Sequence, residues 1–465
     1  MTELPKTGLP RTEIREKIVP VRMTLPQIWP ASVAAFIIAL IAQVIGMHTF
    51  DLGPAAIVFF PMVWGLLMGA AISFQKFRPV GLDFQRVANA FVGVAVLFLI
   101  ARLAFNIGPN LPLLLDAGPA LLLQEVGHLL GTIALALPLA VLLRMGKATV
   151  GATFSLDREP AFAMVSEKYG PDSDQYRGVL AMYVFGTLFG AIYVSLLTSV
   201  ISSLNFFDPL AMAMGAGVGS GSMMAASVGS IIAAHPDQES AILSIAAVSN
   251  LITTVLGVYV GIYIALPLAD RFYRVLTRRQ SRRDEAAATA TAASTVHSAA
   301  DTAGVETNRA FRAQVLASSA PISIRPWTSI PILAVVGVTT ASVFAGGLSL
   351  QILGGYAVLI ALLLLGMLLA KVSRKVSSIV WVTTLGAVIS SPWSPIGTQL
   401  VALVASVDFL SIACVTLTFA GLSLGKDLPL LKTVGWKIIP VGLVAITASF
   451  LLSTLIAEFA LGFWG

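Results

Sequence analysis

Glycines 215, 217, 219 and 221 alternate with Ala216, Val218 and Ser220 inside an apolar stretch running from Ala211 to Ser230. Glycine disfavours continuous helix, and backbone freed at membrane depth must find partners in protein or beside a polar cavity. The stretch therefore predicts a broken or re-entrant helix, with Gly219, Ser220, Gly221, Ser222 and Ser227 offering amides, carbonyls and hydroxyls to a solute. A half-helix N-terminus carries partial positive charge and attracts carboxylate or phosphate. A phosphate-binding P-loop is rejected, because no Gly-Lys-Ser/Thr follows. Close helix packing through small residues is the alternative use of such a segment.

A second interruption falls at 390–399, where Pro392 and Pro395 beside Gly397 break any helix passing through. Ser391, Ser394, Gly397, Thr398 and Gln399 are its candidate ligands; an ordinary turn between two spans is the competing explanation. Third is the run from Lys147, in which Thr149, Gly151, Thr153 and Asp157 form a candidate gate or a solvated loop. Ionisable and amide groups at membrane depth supply the ion-coupling candidates: Glu125 and His128 one turn apart, Asn250 with Thr254, and Asp408. Arg102 is expected to snorkel to the interface. No hydrolase elbow, redox cysteine pair or histidine-rich cluster occurs, so no catalytic residue, metal or cofactor is expected and the chain reads as a non-enzyme.

The surroundings of these residues are membrane-grade. The 465 residues are 57% hydrophobic and 11% charged, with mean hydropathy +0.89. Soluble chains carry about 25% charged residues, so this is a polytopic membrane protein whose first partner is the lipid bilayer. The net charge of +6 does not point to nucleic acid, because Lys and Arg cluster between apolar spans, where they set topology. The lone Cys414 excludes an intrachain disulfide and reads as a small buried hydrophobe.

A 1–26 leader, a first membrane half at 27–275, a disordered linker at 276–327 and a second half at 328–465 make up the expected organisation. The fold class is an all-α transmembrane bundle of about 11–13 segments by the span rule. Basic residues at 75–86, 144–177 and 271–283 place those loops, the N-terminus and the linker in the cytoplasm of a bacterial inner membrane. Parity then leaves 206–239 starting and finishing outside, so a re-entrant hairpin is expected where the glycines fall. A span at 53–74 has a faint echo: Leu52, Gly53, Ala56 and Gly65 recur as Leu353, Gly354, Ala357 and Gly366 at constant offset. The two copies run in the same direction, which speaks against simple inversion.

Taken with these segments, the chain resembles a family of bacterial inner-membrane proteins bearing a domain of unknown function (number 3100). More distantly, 147–268 resembles LrgB-type proteins through Lys147-Ala-Thr149 and Gly217-Val-Gly-Ser-Gly221. A plant relative of these moves glycolate and glycerate. Glutamate:sodium and hydroxycarboxylate symporters share paired helix breaks and an elevator motion. The resemblance implies a secondary transporter of a small organic anion, a carboxylate, coupled to a proton or sodium ion, with a homodimer as the expected assembly. The rivals are an LrgB-like channel or murein-hydrolase export regulator, and a membrane-embedded enzyme using Glu125, His128 and Asp157.

Overall fold

The computed structural model describes residues 21–464 apart from 53–54, 155–160, 162–163, 166–167, 171–172, 291–305, 314, 316–321, 374–375 and 428–434. The protein is an all-α multi-pass bundle, with eight helices among the described residues long and apolar enough to cross a membrane. The first half contains α1 (Leu25–Ile45), α2 (Pro61–Phe74), α3 (Leu82–Ile107), α4 (Leu111–Asp116) and α5 (Gly118–Leu142). It continues with α6 (Ala148–Thr153), α7 (Asp174–Ser203), α8 (Pro209–Ala216), α9 (Gly221–Ala234), α10 (Glu239–Val260) and α11 (Leu266–Ala290). The second half contains α12 (Pro326–Phe344), α13 (Leu350–Ser373), α14 (Ser378–Ile389), α15 (Gly397–Ala405), α16 (Phe409–Ser423) and α17 (Ile438–Trp464).

Several spans differ from the sequence expectation. The segment at 53–74 is half hairpin: strands His48–Leu52 and Ala55–Phe59 pair antiparallel, and only Pro61 starts helix, with proline at a position whose N–H needs no partner. The apolar run at 400–424 is two helices, because Asp408 caps a new start by accepting from the Ser411 N–H at 2.7 Å. Helix α11 continues to Ala290, so the first part of the expected linker is helical. A further linker helix docks at 306–313: Phe311 is buried, and Asn308 donates to Asp174 at 2.8 Å. Residues 1–20 of the leader and 291–305 of the linker lie outside the described residues.

The echoed residues fold differently, Leu52 and Ala56 in the hairpin and Leu353 and Ala357 in α13, but the elements before them correspond. Strands Val21–Arg22 and Ile322–Ser323 pair in parallel, with Val21 opposite Ile322, at the same 301-residue offset as Gly53 to Gly354. The helices that follow, α1 and α12, pack together, and their internal prolines Pro30 and Pro331 keep that offset. The two halves thus begin alike and run in the same direction.

Helix contacts fix the ends of the bundle. Helices α3 and α16 are antiparallel: Phe91 stacks on Phe419 with ring centres 4.7 Å apart, and Arg102 Nε donates to the Val407 carbonyl at 2.7 Å. Helices α5 and α17 are antiparallel too, with His128 against Ser449 at 2.5 Å and Ser453 donating to the Gln124 carbonyl at 3.0 Å. Lys437 reaches the Arg144 carbonyl at 3.3 Å, so the start of α17 and the end of α5 share the basic end of the molecule. The opposite end gathers the end of α3, the start of α10 (Asn110 to Ser240, 3.0 Å) and the end of α17.

Helices α6 and α7 approach more closely than any side chain allows. A Cβ on Gly151 would strike the Gln175 carbonyl, and one on Gly178 would strike the Ala148 carbonyl. These are main-chain carbonyls of packed helices and cannot step aside singly. Gly151→Ala is therefore expected to cost at least about 2 kcal/mol, read as a lower melting temperature and a loss of monodisperse protein. Gly93→Ala on α3 is the control: nothing lies within 4 Å of that Cβ, so stability should hold or rise slightly.

Candidate functional site

The glycine stretch is a break between two helices. Asp208 starts α8 by accepting from the Leu210 N–H at 2.7 Å, beside Glu458, which accepts the Asp208 N–H at the far end of α17. Helix α8 then runs into the bundle, with Gly215 against Phe450 and Thr454 of α17 and the Met214 carbonyl taking Ser249 Oγ at 2.7 Å. At Gly217–Ser220 the helix stops, and Gly219 takes φ +94°, a conformation that L side chains rarely adopt. Asn250 of α10 holds the freed backbone: its amide nitrogen donates to the Gly217 carbonyl at 2.7 Å and the Gly219 carbonyl at 3.2 Å.

Helix α9 begins there. Ser220 is its N-cap, accepting from the Met223 N–H at 3.4 Å, and its hydroxyl lies 3.2 Å from that of Ser222. Helix α9 packs against α7, with Gly190 against Met223, Thr198 2.7 Å from Ser227 and Ser195 3.2 Å from Ser230. It ends at Ala234, a few residues before α10 starts at the end where α8 entered. Chain from Asp208 to Glu239 thus enters and leaves by one end, and its break lies against Val96, midway along α3. Residues 219–222 are half-buried, whereas 211–218 and 223–232 are buried, so the break is where this segment meets open space.

The start of α14 meets the start of α9 across a small cavity of about 10 Å³, near the lower limit for one water. Met224, Asn250, Ile100, Ile379 and Thr383 are among its lining residues. Helix α14 is also capped by serine, Ser377 accepting from the Val380 N–H at 3.5 Å, and it runs parallel to α3. The first turns of two serine-capped helices, one from each half, thus contribute Met224, Ile379 and Thr383 to one small space beside Asn250.

The 390–399 interruption is elsewhere. Ser390 accepts from the Gly108 N–H at 3.2 Å, at the end of α3, roughly 18 Å along that helix from Val96 at a rise of about 1.5 Å per residue. Ser391 bonds back to the Val388 carbonyl at 2.6 Å, Ser394 is half-buried, Gly397 is buried as the first residue of α15, and Thr398 and Gln399 are exposed. It is a turn at the end of the bundle and is not joined to the glycine break. Two prolines ended a helix at a surface, where their missing N–H groups meet no buried acceptor. Thr398→Leu and Gln399→Leu should leave any transport activity within about twofold of the parent, as for most surface changes, in an initial-rate uptake assay.

The other candidates have mixed positions. Thr149, Gly151 and Thr153 are buried in α6 against α7, where Thr153 Oγ1 bonds the Thr149 carbonyl at 2.9 Å and Thr149 Oγ1 has no hydrogen-bond partner among the described residues. Asp157 and the Thr254 side chain lie outside the described residues. Glu125 and His128 are buried at 3% and 0% exposure, Glu125 accepting from Thr253 at 2.8 Å. Among the described residues no third histidine, cysteine or carboxylate joins them to hold a metal. Asp408 is an N-cap, and Arg102, expected at the interface, is instead buried because its Nε bonds the Val407 carbonyl. Sequence patterns did not reveal Ser377, Thr383 or the fully buried Lys426–Asp427 pair at 2.6 Å. Lone serines and adjacent opposite charges carry no spacing that marks them.

A family model described as protein of unknown function (DUF3100) matches residues 40–275, just over half of the chain. The chain belongs to the DUF3100 family. The matched part contains the break, Asn250, Glu125 and His128, whereas α12–α17 lie beyond it. No curated protein and no solved structure matches the chain.

Proposed function

We propose that this DUF3100 protein is a secondary active transporter of a small organic anion, a mono- or dicarboxylate, in a bacterial cytoplasmic membrane. The observation that carries this is the interrupted α8–α9 segment, whose serine-capped start opens midway along α3 with its carbonyls held by Asn250. Unwound backbone is tolerated at membrane depth where it lines a cavity or is buried in protein, and paired half-helices at the midplane are how transporters hold charged solutes. The N–H groups of Gly221 and Ser222 and the Ser222 hydroxyl are the groups for a carboxylate. The start of α14 supplies the second positive helix end.

The small size of the cavity fits an occluded arrangement, so movement of α8–α9 or α14 admits the solute. We take the basic end as cytoplasmic and expect the carrier to work without enzymatic chemistry, since Glu125 Oε2 and His128 Nδ1 contact Thr253 and Ser449 and no third histidine, cysteine or carboxylate joins them among the described residues. Screening a panel of small carboxylates by thermal shift, then measuring uptake into proteoliposomes, tests the proposal. Saturable uptake driven by an imposed proton or sodium gradient is expected. Ungated conductance, or no accumulation with any anion, would contradict it.

A further inference from the structure

Helices α5, α8, α10 and α17 close a ring in one layer. Ser453 of α17 donates to the Gln124 carbonyl of α5, and Gly215 of α8 abuts Thr454 of α17. Ser249 of α10 donates to the Met214 carbonyl of α8, and Thr253 of α10 donates to Glu125 of α5. Each contact joins neighbours around the ring, and each falls one turn or less from the next. The layer lies inside an apolar bundle, yet it holds three side-chain oxygens without a hydrogen-bond partner among the described residues: Oε1 of Gln124, Oε1 of Glu125 and Oγ1 of Thr454. Gln124 and Thr454 are fully buried, and Glu125 is 3% exposed. Each such oxygen buried unpaired has lost its water without gaining a partner, so a cluster of them calls for a guest.

We propose that this layer binds a sodium ion, the coupling ion of the transport reading on which the inference rests. The donor set fits a hard monovalent cation: one carboxylate, one amide oxygen and two hydroxyl oxygens, with no soft ligand. Thr253 donates its proton to Glu125 Oε2 and keeps lone pairs for a cation. The last turn of α8, which includes Met214 of this layer, is the partly negative end of a half-helix, the usual companion of a cation in broken transporter helices. Binding is linked to the anion site through α10: Ser249 and Asn250 hold the end of α8 and the break, and Thr253, one turn on, holds Glu125. A cation drawing in Gln124, Glu125 and Thr454 would therefore tighten the α8–α10 contact that positions the break.

The test uses full-length protein in detergent with no transported anion, so it stands or falls apart from the transport proposal. Melting temperature is followed against NaCl, with choline chloride holding ionic strength constant and KCl as the competing alkali salt. A saturating stabilisation specific to sodium is expected, growing with concentration by mass action. Thr454→Val keeps shape and removes an unpartnered hydroxyl, so a merely structural role predicts no change in the sodium midpoint. A ligand role predicts a midpoint raised on the order of tenfold or more. Glu125→Gln should raise it further, and Thr454→Val stands alone if that variant fails to fold. No sodium-specific stabilisation, a shift that follows pH and ignores sodium, or an unchanged midpoint in Thr454→Val would each overturn the proposal.

Discussion

Replacing Ser222 with leucine is expected to lower gradient-driven anion uptake by about 10- to 100-fold while the protein stays folded. Ser222 stands in the first turn of α9, where its hydroxyl lies 3.2 Å from Ser220 Oγ. The proposed anion takes that hydroxyl and the adjacent N–H groups, and a hydrogen bond to a charged group contributes about 1.5–3 kcal/mol. At about 1.4 kcal/mol per tenfold, losing one such bond gives the stated range. Leucine also fills the space in front of the helix start, whereas Ser222→Ala removes only the hydroxyl and should fall between. Folding is spared because the residue is half-buried at an opening. Uptake unchanged in well-folded Ser222→Leu protein would move the site elsewhere.

Gly421→Val is expected to abolish the folded state rather than the activity alone. Helices α2 and α16 run parallel and touch along their backbones: Gly65 meets Thr418, Gly69 meets the Thr418 carbonyl and Leu422, and Ser73 donates to the Leu422 carbonyl at 2.8 Å. A Cβ at Gly421 would collide with the Leu66 carbonyl and crowd Ala70 N at 2.9 Å. Both obstacles are main chain in packed helices, so the helices must separate along their whole contact. Overpacking of this kind costs about 1–3 kcal/mol where side chains can give way, and more where they cannot. No monodisperse peak on size-exclusion chromatography and no cooperative melting transition are the expected readouts. A Gly421→Val protein that purifies and melts like the parent would contradict this packing.

Much of the bundle was legible because lipid imposes a strong rule: apolar runs of helix length span, and basic loops collect at one end. The glycine break was legible for a related reason, since alternating glycines inside such a run have few other uses. Proline misled at 390–399, because helix ends at a surface and helix breaks at depth use the same residue. The hairpin at 48–59 was hidden because a β-rich apolar segment has the composition of a span. Ser377 and Thr383 could not be found from their own neighbourhoods. Only the parallel packing of α14 on α3 brings Thr383 beside Asn250, and that is a long-range contact with no local signature.

Cysteine accessibility at the break is the most direct measurement. Cys414 is buried and should stay silent, so Ser222→Cys can be probed with a small, charged, membrane-impermeant thiosulfonate in proteoliposomes. Ala225→Cys, one turn into α9 and fully buried, is the unreactive control. If the unwound main chain lies beside a water-filled path, Ser222→Cys reacts and Ala225→Cys does not. Folded Ser222→Cys protein that resists the reagent from both sides would mean that the break is sealed packing and that no solute passes there.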